Sequence, residues 1–477
     1  MVHDGRLTVS GPSERFGVLR RSLRRAAAVA MAGAVAATSI PNAAQAQGRS
    51  VPLVRDTEIE NLIRDYATPI FRAAGLSSNN IRIFIVRSRE FNAFVVDQRR
   101  MFLNVGALQS AETPNEIIGV IAHETGHISG GHLARLRGQL AGAQTAFLAA
   151  LLLGTAAAAA AVAGGVDTSQ AAQGAGAALL GAGQVGQRNL LSYQRSEELA
   201  ADRAAVNYLN ATQQSSKGML TVFERFAGQA VFTNRFVDPY ARSHPMPRER
   251  IAALERVARA SPYFDRRDPP ALQARHDLMR AKISGFLDPP NSVFQKYPES
   301  DNSLPARYAR AIARYRTADI RAAIRDIDGL IQSQPNNPYF RELKGQALLD
   351  SGRPREAIAP LERAVSLRPN AGLMRIMLGQ ALVATNDARL LPNAITQLRR
   401  GLSTEPDHAL GFRQLAIAYG RQGNQAESTL ASARSYFAEG NLDLARQQAA
   451  RAQNLFARGS PGWLQADDIL NVRSPRR

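Results

Sequence analysis

Cysteine is absent from the 477 residues. That excludes disulfides, thiolate metal sites, a cysteine nucleophile and a lipid-modified N-terminal cysteine, so any metal has to be held by histidine and carboxylate. Histidine is scarce, with seven residues, and four of these stand at 123, 127, 132 and 244. Lysine is nearly missing: four of the 59 basic residues are lysine, and arginine carries the formal net charge to +19. Such an excess favours acidic partners or anionic lipid. The arginines are dispersed through helical segments and not gathered with aromatics, which argues against nucleic-acid binding. The length allows two or three domains with sizeable cores.

Strongly apolar runs long enough to span a bilayer are lacking too. Residues 1–46 read as a cleavable export signal, with Arg20, Arg21, Arg24 and Arg25 ahead of the uncharged run Ala26 to Ile40 and a small-x-small site at Ala44-Gln45-Ala46. Cleavage after Ala46 is expected, leaving a mature charge of +15. The alternative, an uncleaved anchor, is disfavoured because 15 mostly alanine residues are short for a span. Residues 141–187 carry a single charge, Asp167, and are rich in Ala and Gly. Lid or membrane-touching helices are the first expectation there, a flexible loop the second, and a true span over residues 146–165 the third.

Against these absences stands His123-Glu-Thr-Gly-His127-Ile-Ser-Gly-Gly-His132, which contains the pattern HExxH. At about 100° per residue, two histidines four apart lie on nearly one face of a helix and can share one metal ion. Glu124 beside them is placed to take a proton from water, as in a zinc peptidase. Thr113-Pro-Asn-Glu116 marks the helix start, with an N-cap Thr, Pro at the first position and Glu three after the cap. Ile117, Ile118, Val120 and Ile121 then predict a buried helix.

Zinc peptidases of this type need a third protein ligand. Where a third histidine serves, it follows the second by six residues; here that position is Leu133, and His132 falls one short. One residue turns a side chain by about 100°, so His132 is expected to pack or hydrogen-bond and not to bind metal. Glu198-Leu-Ala-Ala-Asp202 supplies two acids four apart on an alanine-rich helix. One can bind the metal while the other orients a ligand histidine, and the neighbouring Glu197 stays a candidate. His244 either reaches the metal as a fourth ligand that blocks water or stabilises an oxyanion; the plainer alternative is a histidine fixed in a turn by Pro245 and Pro247.

Taken in order, the HExxH segment with His132, the Glu198 to Asp202 segment, Ser243-His244-Pro245 and Arg250-Ile251 resemble the HtpX-like and CAAX-prenyl-protease-like zinc metallopeptidases, a gluzincin group. The resemblance implies one Zn2+ per chain held by His123, His127 and Glu198, with Glu124 as base and Asp202 orienting a ligand. The segment Asn92-Ala-Phe94 departs from that group by running into Val-Val-Asp-Gln-Arg-Arg where a Gly-rich turn is usual.

Two strands are expected within this domain, Ile81 to Val86 and Met101 to Val105, joined by a polar connection that contains Asp97-Gln-Arg-Arg100. An edge near the metal could pair with an extended substrate; a purely structural hairpin is equally compatible. Residues 264–303 read as a Pro-rich linker with one helix, Leu272 to Ile283. Beyond it, Pro335, Pro369 and Pro406 recur at 34 and 37 residues and Gly345 and Gly379 at 34, with Asn386 to Leu391 holding the extra three. This period looks like tetratricopeptide repeats, whose stacked helix pairs form a solenoid with a protein-binding groove. The expected fold class is an α+β zinc metallopeptidase domain, mainly helical with a small sheet, over residues 51–263, followed by an all-α tetratricopeptide-repeat solenoid over 304–460 and a tail over 461–477.

An exported zinc peptidase followed by repeats resembles the periplasmic beta-barrel assembly-enhancing proteases. That likeness implies quality control of outer-membrane proteins, with unfolded or misfolded precursors as substrates and the repeats docking on substrate or on the beta-barrel assembly machinery. A scaffold or chaperone with a latched protease, and a membrane-anchored protease, are the competing readings.

Overall fold

Apolar residues at helical spacing from Ile59 to Phe71 bury one side of the first long helix, α1 (Thr57–Ala73). Its start is set by Asp56, whose side chain accepts from Ile59 N at 3.0 Å. The computed structural model to which this helix belongs describes residues 52–136, 138, 194–230, 244 and 248–472, with backbone alone for 227–230. The signal segment, the 141–187 insert and residues 473–477 lie outside the described residues.

Four strands form one sheet in the order β1-β2-β4-β3: β1 (Leu53–Val54), β2 (Arg82–Val86), β3 (Ala93–Asp97) and β4 (Arg100–Asn104). β2 and β4 pair in parallel, with Phe84 opposite Phe102, while β3 pairs antiparallel to β4. The two-strand expectation therefore needs correction. Asp97-Gln-Arg-Arg100 is the tight turn of a β3-β4 hairpin, closed by Arg99 N donating to Asp97 Oδ1 at 2.8 Å and Arg100 Nε donating to Asp97 Oδ2 at 2.8 Å. The missed strand β3 is as apolar in sequence as its neighbours; it lies at the sheet edge, half-buried along most of its length, and runs straight into the polar turn.

After α2 (Val105–Ser110), helix α3 (Pro114–Gly130) carries the HExxH residues and packs against α1, β3 and α5 (Lys217–Ala230). Its expected start is observed, with Glu116 Oε1 accepting from Thr113 N at 3.3 Å and Glu112 N at 3.0 Å. Helix α4 (194–211) carries Glu198 and Asp202. Helix α6 (Arg248–Arg259) closes this part of the chain.

The expected linker contains two helices, α7 (Pro270–Leu287) and α8 (Pro290–Lys296), and α7 is structural rather than connecting. It packs on α1 and α2 on one side and on the first repeat helix on the other, burying His276, Met279 and Lys282. Ten helices follow in five antiparallel pairs: α9 (Leu304–Arg316) with α10 (Ile320–Ser333), α11 (Pro338–Asp350) with α12 (Pro354–Leu367), α13 (Gly372–Ala384) with α14 (Leu391–Thr404), α15 (Ala409–Arg421) with α16 (Gln425–Ala438), and α17 (Leu442–Leu455) with α18 (Pro461–Asn471). The 34-residue glycine period has a packing cause: a Cβ on Gly345 or Gly379 would stand within 2.5 Å of Leu361 or Leu398 on the second helix of the same pair. The extra residues form a 3₁₀ turn, Ala388–Leu390. Residues 461–471, expected as a tail, are instead a helix with Ala466 and Ile469 buried, because Ser460 caps it and Pro461 starts it. No helix among the described residues is long and apolar enough to cross a membrane.

Candidate metal centre

Helices α3 and α4 approach closely enough to share a site because one contact position has no side chain. A Cβ on Gly126 would stand 2.8 Å from Ala201 O and 2.9 Å from Ala201 Cα. With Gly there, Glu198 and Asp202 of α4 reach the histidines of α3. His123, Glu124, His127, Glu198, Asp202, His244 and Arg250 are all buried.

His123, His127, Glu198 and His244 each direct a donor atom to one point, and the four atoms lie within 4.8 Å of one another. His123 Nε2 is 3.0 Å from His127 Nε2, 3.3 Å from His244 Nδ1 and 3.4 Å from Glu198 Oε2. His127 Nε2 is 3.5 Å from Glu198 Oε1, and His244 Nδ1 is 3.2 Å from either Glu198 oxygen. Bonds of about 2.0–2.1 Å at tetrahedral angles would set donors about 3.3–3.4 Å apart. The separations given, 3.0–3.5 Å, lie close to this value. Its chemistry fits as well: imidazole nitrogens and a carboxylate crowded together, with apolar Phe223 edge-on to His123 at 5.6 Å, would be stabilised by a cation at their centre.

The carboxylates around the cluster hold it in place. Asp202 Oδ1 lies 2.9 Å from His123 Nδ1, leaving Nε2 for the centre. Arg250 Nε and Nη2 donate to the two Asp202 oxygens at 2.7 and 2.8 Å, and its Nη1 stands 2.8 Å from Glu198 Oε2. Burial opposes a charged His123, but Asp202 and Glu198 outweigh it and raise the imidazole to about 9. Burial, reinforced by His123, pushes His127 well below the ordinary imidazole range. Against the cost of burial, His244 and His123 hold the Glu198 carboxyl far below its usual range, and Arg250 holds Asp202 low.

Glu124 differs from the other acids. Both its oxygens are buried without a hydrogen-bond partner among the described residues, and burial raises its carboxyl above the usual range. His244 Nε2 stands 3.3 Å from Oε1. A buried acceptor in this state is suited to receive a proton from a water that enters the site. A cleft of about 170 Å³ opens beside it, walled by Phe94 and Val95 of the edge strand and by Leu133, Leu136 and Gln194.

The structure thus brings together all six candidate site residues named from the sequence. His132 stays outside the four-donor set, with Nδ1 2.9 Å from His127 Nδ1 and Nε2 2.7 Å from Glu197 Oε2. Arg250 was singled out as part of the resemblance without a role, since an arginine at a helix start gives no sign that it will be buried.

Residues 53–258 match the family model described as Peptidase family M48. The chain carries an M48 metallopeptidase domain. Tetratricopeptide-repeat models match residues 308–372 and 343–409, so an α+β peptidase domain is followed by helical repeats. Relatives to the M48 domain and its repeats together include the "Beta-barrel assembly-enhancing protease" of Escherichia coli (strain K12), 23% identical over 86% of this chain and 82% of that protein. The "Putative beta-barrel assembly-enhancing protease" of Vibrio cholerae is 25% identical over 89% and 86%. Among solved structures, YrrB, "a TPR protein with an unusual peptide-binding site", is 18% identical over 36% of this chain and 90% of its own, with a TM-score of 0.31. MamA is 21% identical over 34% and 90%, with a TM-score of 0.27. Both likenesses are too partial to bear on function.

Proposed function

We propose that this protein is an exported, zinc-dependent endopeptidase that acts in the periplasm on misfolded or stalled outer-membrane precursors, with its repeats binding substrate or the beta-barrel assembly machinery. The observation that carries the chemistry is the buried four-donor cluster beside a buried Glu124 whose oxygens have no hydrogen bond among the described residues. The relatives' name supports the substrate class, and the repeats support a protein partner. The domain limits proposed are a signal over 1–46, the peptidase over 51–263 and repeats from 304, now taken through the final helix.

In this reading His123, His127 and Glu198 hold one Zn2+, which when bound polarises a carbonyl and acidifies water. Glu124 receives the proton of the attacking water on a carboxylate oxygen and returns it to the leaving amine. Asp202 keeps the His123 proton on Nδ1, and Arg250 keeps Asp202 ionised while pairing with Glu198. The outer edge of β3, whose Phe94 and Val95 wall the cleft, is placed to pair with an extended substrate.

His244 favours a second state of the same enzyme. Its Nδ1 belongs to the donor set, and four protein donors close a tetrahedral site to water. The arrangement described is therefore read as a latched form, from which His244 withdraws to admit substrate and stabilise the oxyanion. Metal analysis of the wild type and Glu198→Ala, with cleavage of an unfolded protein by wild type and Glu124→Gln, tests the proposal. Stoichiometric zinc lost with Glu198, and cleavage reduced about 10²–10⁴-fold in Glu124→Gln with zinc retained, are expected. Zinc retained by Glu198→Ala would refute the ligand assignment.

A further inference from the structure

A neutral imidazole carries one proton, so each ring at a metal centre has to offer the nitrogen that lacks it. For His123 the choice is made by Asp202 at Nδ1. His127 has no carboxylate at its Nδ1; it faces a second imidazole, with the two Nδ1 atoms 2.9 Å apart. At that distance one of them donates and the other accepts.

The decision lies one residue further out. His132 Nε2 stands 2.7 Å from Glu197 Oε2, and a carboxylate can only accept. The proton of His132 therefore sits on Nε2, its Nδ1 is a bare lone pair, and His127 must donate from Nδ1. The lone pair of His127 then falls on Nε2, the atom that faces His123 Nε2 and Glu198 Oε1. Glu197 is in turn held by Arg135, whose Nε and Nη2 donate to its two oxygens at 3.3 and 2.7 Å.

The backbone makes room for this arrangement. Helix α3 ends at Gly131, in the left-handed region at φ 66°, and a Cβ on Gly130 would stand 2.2 Å from His132 Nε2. The Gly-Gly pair thus lets the His132 ring fold back onto the last turn. His132 comes from the α3 side, whereas Glu197 comes from α4, directly before Glu198. The contact is a link between the two ligand-bearing helices in addition to that of Asp202 with His123.

We propose that His132 and Glu197 form a positioning pair for His127, fixing its tautomer and ring plane so that Nε2 is presented to the metal. This rests on the reading of His127 as a metal ligand, and the two can fail separately. Zinc affinity of the full chain is measured by competition with a chromophoric chelator for wild type, His127→Ala, His132→Leu and His132→Asn. His127→Ala should lose the site. His132→Leu should bind about 10–100-fold more weakly, and His132→Asn should recover most of the affinity because its amide oxygen, in the place of the ring Nδ1, can accept the His127 proton. Wild-type affinity in His127→Ala would overturn the ligand reading; loss there with wild-type affinity in His132→Leu would overturn the positioning pair alone. Nitrogen-15 spectra of the zinc-loaded wild type decide the matter without a variant. A proton on His127 Nδ1 and on His132 Nε2 only is expected, and a proton on His132 Nδ1 would overturn the proposal.

Discussion

Arg250 satisfies three carboxylate oxygens at once while lying over the Phe223 ring, 4.9 Å from its centroid. Its planar fork suits this; an ammonium could not span both acids. Replacing it by leucine takes the guanidinium from two buried carboxylates and leaves them to the histidines alone, a loss of about 3–5 kcal/mol. Urea denaturation of metal-free Arg250→Leu should show that loss, and added zinc should restore part of it by neutralising Glu198. Arg250→Lys should not restore the wild-type midpoint. An unchanged midpoint in Arg250→Leu would mean that the two acids are held by something else.

At the scale of elements, the site depends on how near α3 comes to α4. Gly126→Ala tests this because local propensity and packing oppose each other. Alanine favours a helix interior by about 1 kcal/mol over glycine, but its Cβ would press on Ala201 O at 2.8 Å. Overpacking of this kind costs about 1–3 kcal/mol, so the variant is expected to melt lower and to bind zinc more weakly. A higher melting temperature with unchanged zinc affinity would show that the helices can separate without disturbing the donors.

Across the whole molecule, peptidase and repeats meet through α7. Lys282 Nζ stands 2.7 Å from Asp56 Oδ2 and 3.2 Å from Glu58 Oε2, Tyr308 of α9 donates to Glu58 Oε2 at 2.9 Å, and Thr57 donates to Glu342 of α11 at 3.3 Å. Three carboxylates thus share one buried ammonium beside a cavity of about 530 Å³ between α1, α7 and the repeats. Burial raises Glu342 from its ordinary 4.5 to about 8; Lys282 opposes the shift, while Asp56 and Glu58 add to it. Burial likewise raises Glu58. The folded state therefore holds the Glu342 proton more tightly than the unfolded state does, and stability falls as pH rises from about 4.5 to about 8. Hydrogen-exchange protection factors of α1 and α11, taken relative to the intrinsic rate at each pH, should fall over that range in the wild type and change much less in Glu342→Gln. Equal pH dependence in both would assign the effect to another group.

Much of this was legible along the chain because it depends on local spacing. Two histidines one helical turn apart, acids four apart on a second helix, a capping box at Thr113 and a 34-residue period are statements about neighbours in sequence, and local geometry carries them into structure. The edge strand β3 was missed because its apolar run, Ala93 to Val96, is short and passes through a tight polar turn directly into β4, and α18 because a short helix buries little of itself. What only tertiary structure decided is which distant groups share a dry space. Arg250 became the clamp of two acids, His132 the partner of His127 and Lys282 the joint of two domains because burial removes water from around them, and no pattern of neighbours announces which charges will be enclosed together.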